Sequence, residues 1–113
     1  METSVSRMKN FWNAVFRDEN GKLKQGQEHH TLYNVYGQTE IGLILRWQNG
    51  MLHDDGNLPA VEFQDAHIEH YQNGLLHNNA VDKIGKRRPA IISGYGSINE
   101  YYLKGKKENV HDQ

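Results

Sequence analysis

Seven histidines are the side chains here best suited to chemistry, at positions 29, 30, 53, 67, 70, 77 and 111. His53 and His77 recur in equivalent surroundings, RWQNGMLH at 46–53 and HYQNGLLH at 70–77. Two neutral imidazoles beside a carboxylate such as Asp54 or Asp55 form a ligand set that zinc accepts. Paired carboxylates, Asp54 with Asp55 and Glu62 with Asp65, are the residue types of glycoside hydrolysis when an apolar pocket raises one pKa. The stretch SGYGS at 93–97 is rich in glycine. It lacks the lysine and hydroxyl of a phosphate loop and the spacing of a dinucleotide fingerprint, and reads as a turn.

Each of these has a plainer account. A repeated position is filled by what the turn requires, so His53 and His77 are expected to be metal-free rings that pack and donate to a backbone carbonyl. HDDGN at 53–57 is turn chemistry, Asp and Asn beside glycine. His67 and His70 fall on opposite faces of a strand, which divides them as ligands. No catalytic residue, metal or cofactor is expected.

The local pattern says what holds these side chains. Met8, Phe11, Trp12, Val15 and Phe16 share one helical face, so a short amphipathic helix is expected over 4–17, capped by Thr3 or Ser4. Asn20-Gly21 ends it. KLKQGQEHH at 22–30 is polar and reads as a loop or hairpin arm. From Thr31 the helical period vanishes. TLYNVYG at 31–37 and IGLILRW at 41–47 carry β-branched and aromatic residues bounded by glycine, as strands do. Asn-Gly at 49–50 and 73–74 then favours two-residue hairpin turns, whose central positions both need φ > 0.

The repeated unit is longer than the octet. One copy occupies 44–63 and a second 68–93, each ordered as aromatic, Asn-Gly, Leu-His, a variable loop, Pro-Ala and β-branched residues. A third, incomplete copy at 96–107 places Tyr102 three residues before Gly105, as Trp47 stands before Gly50. A degenerate copy begins at FRDENGKLK, 16–24. The order resembles the MORN-like repeats, whose units read roughly aromatic-x-x-Gly-x-x-His and then Gly-Pro-Ala. It departs from them in having Leu58 and Arg88 before the prolines and in its uneven spacing. The resemblance implies a sheet of successive hairpins used for scaffolding or contact. Independently, Trp47, Tyr71 and Tyr102 are expected to stack along one face, worth ~1 kcal/mol per pair beyond burial. The opening helix is expected to cover an end or face of the sheet.

Charge is balanced overall, 13 basic against 14 acidic residues, so no global field argues for nucleic acid or membrane. Locally it is not. Residues 54–82 hold six acids and no lysine or arginine, whereas 83–107 hold seven basic residues and one acid, Glu100. The sign changes inside a loop six residues longer than its counterpart, where repeats hang their binding residues. Lys86, Arg87, Arg88, Lys104, Lys106 and Lys107 are therefore the candidate contact surface, with Tyr95, Tyr101 and Tyr102 nearby for stacking. A solvated loop and basic tail are the plain alternative.

These observations predict a single mainly β (α+β) domain over 1–113, with a helix at 4–17 and an antiparallel sheet of hairpin repeats over 31–107. A mean hydropathy of -0.85 suits a thin, layered body. The expected function is a non-enzymatic interaction module for a protein partner with an acidic surface, such as a phage or bacterial accessory protein inhibiting a host defence complex. A nucleic-acid- or phospholipid-headgroup-binding role through the same patch is the alternative, and a metal-dependent hydrolase a weaker one. The chain has no cysteine, which excludes disulfides, thiol catalysis and cysteine-ligated zinc. No apolar run reaches the roughly 20 residues of a membrane span. Residues 1–16 lack the layout of a signal peptide, so a cytoplasmic location is expected.

Overall fold

Two of the three Asn-Gly dipeptides make the two-residue turn expected of them. In the computed structural model, which describes residues 15–33, 36–37, 40–64 and 67–109, φ is 52° and 81° at Asn49-Gly50 and 50° and 81° at Asn73-Gly74. A two-residue hairpin turn needs both positions left-handed. Lys104-Gly105 makes the same turn at 48° and 82°, with lysine in place of asparagine.

Among the described residues ten strands follow in chain order: β1 (Gly26–Tyr33), β2 (Glu40–Gln48), β3 (Met51–Leu52), β4 (Val61–Phe63), β5 (His67–Glu69), β6 (Tyr71–Gln72), β7 (Leu75–Leu76), β8 (Ile91–Ser93), β9 (Ile98–Leu103) and β10 (Lys106–Glu108). All pairings are antiparallel. The main sheet runs β1-β2-β4-β5-β8-β9-β10, with β3 also on β2, and β6-β7 form a separate ribbon. The expected antiparallel hairpin architecture is present, and residues 94–96 form a short 3-10 turn.

One expectation needs correction at the N-terminal side. Residues 4–14 of the expected helix lie outside the described residues, and its described end, 15–17, is not helical. Phe16 donates its N–H to the Gly50 carbonyl at 2.7 Å and accepts from Lys24 at 3.0 Å, while Arg17 bridges Leu23. That backbone is committed to a hairpin. Of the two readings of the polar segment, loop or hairpin arm, the arm is found: β1 starts at Gly26 and runs into the expected strand residues 31–33. Its side chains are exposed on both sides apart from half-buried Glu28, so no alternation betrays the strand. Main-chain pairing with all eight opposed residues of β2 holds it instead.

Register sorts the sheet into two faces, because directly opposed residues share a side. One row reads Glu28, Leu45, Val61, Glu69, Ile91, Glu100. The next row on that side is His30, Leu43, Phe63, His67. The core gathers on this face, with Val61, Tyr71, Leu76, Ile91 and Tyr102 buried and Leu43, Leu45, Leu52 and Phe63 packed on them. The opposite face carries His29, Ile44, Glu62, Ile68, Ile92 and Asn99.

The copies are equivalent in backbone as well as sequence. The Gly74 N–H donates to the Leu52 carbonyl at 2.9 Å, Gly105 to Leu76 at 2.7 Å, and Gly50 to Lys24 at 2.8 Å. Thus the hairpin at 16–24, read from sequence as a degenerate copy, stacks like the others. Each Pro-Ala then leads into a sheet strand. Ala60 and Ala90 are fully buried, and their carbonyls accept from the equivalent residues Arg46 and His70 at 2.8 and 2.7 Å.

Candidate functional site

The histidines of the repeat do a specific job, and not the one expected. His53 Nδ1 accepts the backbone N–H of Asn73 at 3.1 Å, and His77 Nδ1 accepts that of Lys104 at 2.9 Å. Gln25 Oε1 takes the N–H of Asn49 in the same way at 3.0 Å. These donors are the left-handed turn residues of the next hairpin, so the rings accept from an N–H where donation to a carbonyl was expected. Acceptance at Nδ1 fixes the proton on Nε2. In His77 that Nε2 is buried with no hydrogen-bond partner among the described residues, and burial, followed by the Arg87 and Lys104 charges, holds the imidazole below its ordinary value.

The repeat aromatics each end on a carboxylate. Trp47 Nε1 donates to Glu28, Tyr71 OH to Glu69 at 2.8 Å, and Tyr102 OH to Glu100 at 3.1 Å. All three carboxylates lie in the single row across the core face. His67 Nε2 approaches the other Glu69 oxygen at 2.7 Å, and this partner raises its pKa. Burial pushes both tyrosine phenols far up, so neither is a nucleophile or base near neutrality. This cluster holds strands together. Among the described residues no group of three or more His, Cys, Asp or Glu is arranged to hold a metal ion.

The opposite face bears the longer repeat loop. Asp54 and Asn78, equivalent positions, organise the two loops. Asp54 accepts from the N–H groups of Gly56, Ala60 and Tyr71 at 2.8–3.0 Å and meets His70 Nδ1 at 3.0 Å. Asn78 accepts from Ala80 at 2.9 Å and donates to the Pro89 carbonyl at 3.1 Å. Within the longer loop, Asp82 Oδ1 accepts from Ile84 and Lys86, Val81 bridges Arg87, and the Arg88 N–H donates to Ala80. The insertion is a small hydrogen-bonded hairpin. Its tip carries Ile84, 85% exposed.

Of the six predicted contact residues, three gather here. Lys86, Arg87 and Arg88 line a cavity of about 430 Å³ between this loop and the sheet, floored by Ile68 and Ile92 and bordered by His70 and Asn99. Their roles differ. Arg87 reaches the Asn78 carbonyl at 3.1–3.2 Å and sets Nη1 2.7 Å from Glu108 Oε1, an ion pair without the alignment of a hydrogen bond. It bolts the loop to β10. Lys86 and Arg88 are exposed.

The other three belong to the β9-β10 hairpin and do not line the cavity. Lys104 occupies the turn stacked on His77. Lys106 and Lys107 alternate along β10, and Lys107 points to the core-face side, 3.4 Å from Glu100. Lys107 stands where Leu52 and Leu76 stand in the earlier copies, each opposite the repeat aromatic. Sequence reasoning weighed charge and passed over Ile84, although its place between Lys83 and Gly85 at the centre of the insertion was a signal.

No family model, curated protein or solved structure matches the chain. Among the described residues no helix is long and apolar enough to cross a membrane.

Proposed function

We propose that this chain is a MORN-like stack of hairpins serving as a non-enzymatic interaction module, which contacts an acidic protein surface through the loop at 79–88. The observation that carries the reading is Ile84, a large apolar side chain 85% exposed at the tip of an internally hydrogen-bonded hairpin flanked by Lys83, Lys86 and Arg88. Exposing an isoleucine gains the free molecule nothing, whereas a rigid apolar anchor ringed by charge is how protein interfaces concentrate their energy. The rim cations would steer an acidic partner and speed encounter. Phosphate backbones need cations but have no use for the isoleucine, which favours a protein over a nucleic acid.

Neutralising Arg87 would unbolt the loop from Asn78 and β10, so the clean test leaves it in place. Affinity capture from host lysate compares the natural chain with Ile84→Asp and with Lys86→Gln/Arg88→Gln, each checked for an unchanged β spectrum. A nuclease-resistant protein held by the natural chain and lost by Ile84→Asp supports the reading. Capture that disappears on nuclease treatment would move the function to nucleic acid. Capture unaffected by either variant would leave the loop a solvated face.

A further inference from the structure

The underside of the same loop presents different chemistry from its tip. We infer that the cavity between the loop and the β5-β8-β9 face binds a small phosphomonoester on a flat, apolar-faced group, that is, a mononucleotide. This does not depend on the protein-partner reading. Its volume of about 430 Å³ falls within the range of small-molecule sites.

Three features converge. The floor is apolar: Ile68 and Ile92 are directly opposed on β5 and β8, and Pro89 borders them. Neither isoleucine is fully buried, so the protein's own packing leaves a shelf on which a planar ring can lie.

The mouth is cationic. Arg88 is exposed, and its guanidinium has no protein partner among the described residues. A planar guanidinium takes a phosphate through two parallel hydrogen bonds. Lys86 adds charge at the same rim. The one acid that lines the cavity, Asp82, has Oδ1 engaged by the N–H groups of Ile84 and Lys86.

The third feature is an acceptor inside. Asp54 already receives three backbone N–H groups, so it meets His70 as an acceptor and keeps that ring's proton on Nδ1. In the neutral ring His70 Nε2 then carries a lone pair, and it has no partner among the described residues. Inorganic phosphate could donate to it only through a P–OH, and would leave the apolar shelf uncovered. A ribose hydroxyl or a base N–H donates to it. Asn99 Oδ1 is a second such acceptor, since its amide nitrogen is held by the Gly96 carbonyl.

The test is a titration of the full chain with adenosine 5′-monophosphate, adenosine and inorganic phosphate, followed by amide NMR shifts. The monophosphate should give saturable shifts around Ile68, His70, Arg88 and Ile92, and bind more tightly than either fragment. Arg88→Gln should weaken it about tenfold or more, as loss of a charged hydrogen bond does. Lys22→Gln, the same charge change in a distant turn, should not. No saturable shift at millimolar monophosphate would overturn the inference. So would equal weakening by both variants, which would mean diffuse attraction, or phosphate binding as tightly as the nucleotide, which would remove the role of the shelf.

Discussion

His53 and His77 hold the same position relative to the hairpin that follows each of them. Both present Nδ1 to the backbone N–H of a left-handed turn residue, Asn73 at 3.1 Å and Lys104 at 2.9 Å. The repeat octet ends in histidine because the next turn exposes an N–H that the hairpin itself leaves unpaired, and a ring at that offset reaches it.

Protonation would put two N–H groups face to face, so this contact carries a pH dependence. Burial, then Arg87 and Lys104, depress the folded pKa of His77 below 6.5, against a small opposing effect of Asp54. The unfolded chain then binds the proton first, and stability is present above about 6.5 and lost as pH falls toward the folded pKa. His77→Gln, which offers an oxygen as Gln25 does, should flatten that loss in urea midpoints measured across the acid range. His67 has the opposite sign. Its pKa is raised by the Glu69 hydrogen bond and by the Glu69 and Glu100 charges, against burial. Its contribution is complete below 6.5 and lost as pH rises through the folded pKa, so His67→Gln should differ from the natural chain most in acid. A shared slope in both variants would show that other groups set the profile.

Asp54→Asn is expected to destabilise by about 3 kcal/mol, because one amide NH₂ must face backbone N–H donors it cannot accept. Oδ2 alone serves both Ala60 and Tyr71. Equilibrium denaturation checks it, and a cost under about 1 kcal/mol would mean the loop relaxes around the amide.

The repeat aromatics should rank by enclosure. Tyr102 is 1% exposed and Trp47 9%. Truncation of Tyr102 to alanine should cost about 3–5 kcal/mol and of Trp47 about 3 kcal/mol. The Trp47 ring stacks obliquely on Phe16 at 5.1 Å, with Lys24 over it at 5.1 Å. A Trp47→Ala midpoint equal to that of the natural chain would show that this end of the stack is not cooperative with the rest.

Two glycines with nearly the same φ separate backbone strain from crowding. Gly21, at +79°, has nothing within 4 Å of an added Cβ, so Gly21→Ala should cost about 1–2 kcal/mol from the left-handed conformation alone. Gly50, at +81°, would bring its Cβ to 2.8 Å from the Phe16 carbonyl and from Val15 Cγ1. Gly50→Ala should be clearly worse by thermal melting. Equal costs would mean the 16–24 hairpin moves aside freely.

The hairpins were legible because their turns need residues that almost nothing else demands. Asn49-Gly50 and Asn73-Gly74 announce left-handed backbone, and Lys104-Gly105 was found only through Tyr102. The first strand was legible only in part: residues 31–33 read as strand, but 26–30, an edge wet on both faces, shows no period. The carboxylate row was not legible. Glu69 and Glu100 stand two residues before Tyr71 and Tyr102, the same-side spacing of a strand, but Trp47 takes its partner from β1, so the pattern breaks in the first copy. The acidic and basic segments were visible as composition. What composition could not say is that Arg87 turns inward to Asn78 and Glu108 while Ile84 turns out.

The arginine also changes the edge that the β9-β10 hairpin presents. Glu108 follows Gly105 at the offset by which His53 follows Gly50 and His77 follows Gly74, so it stands where the next rung would dock. Its carboxylate instead lies 2.7 Å from the Arg87 guanidinium. A further hairpin, or the 16–24 hairpin of another molecule, would have to displace an ion pair to attach there. An edge occupied by an ion pair is a poorer joint than one offering a free acceptor, which matters in any array of identical joints, where open ends can add to one another.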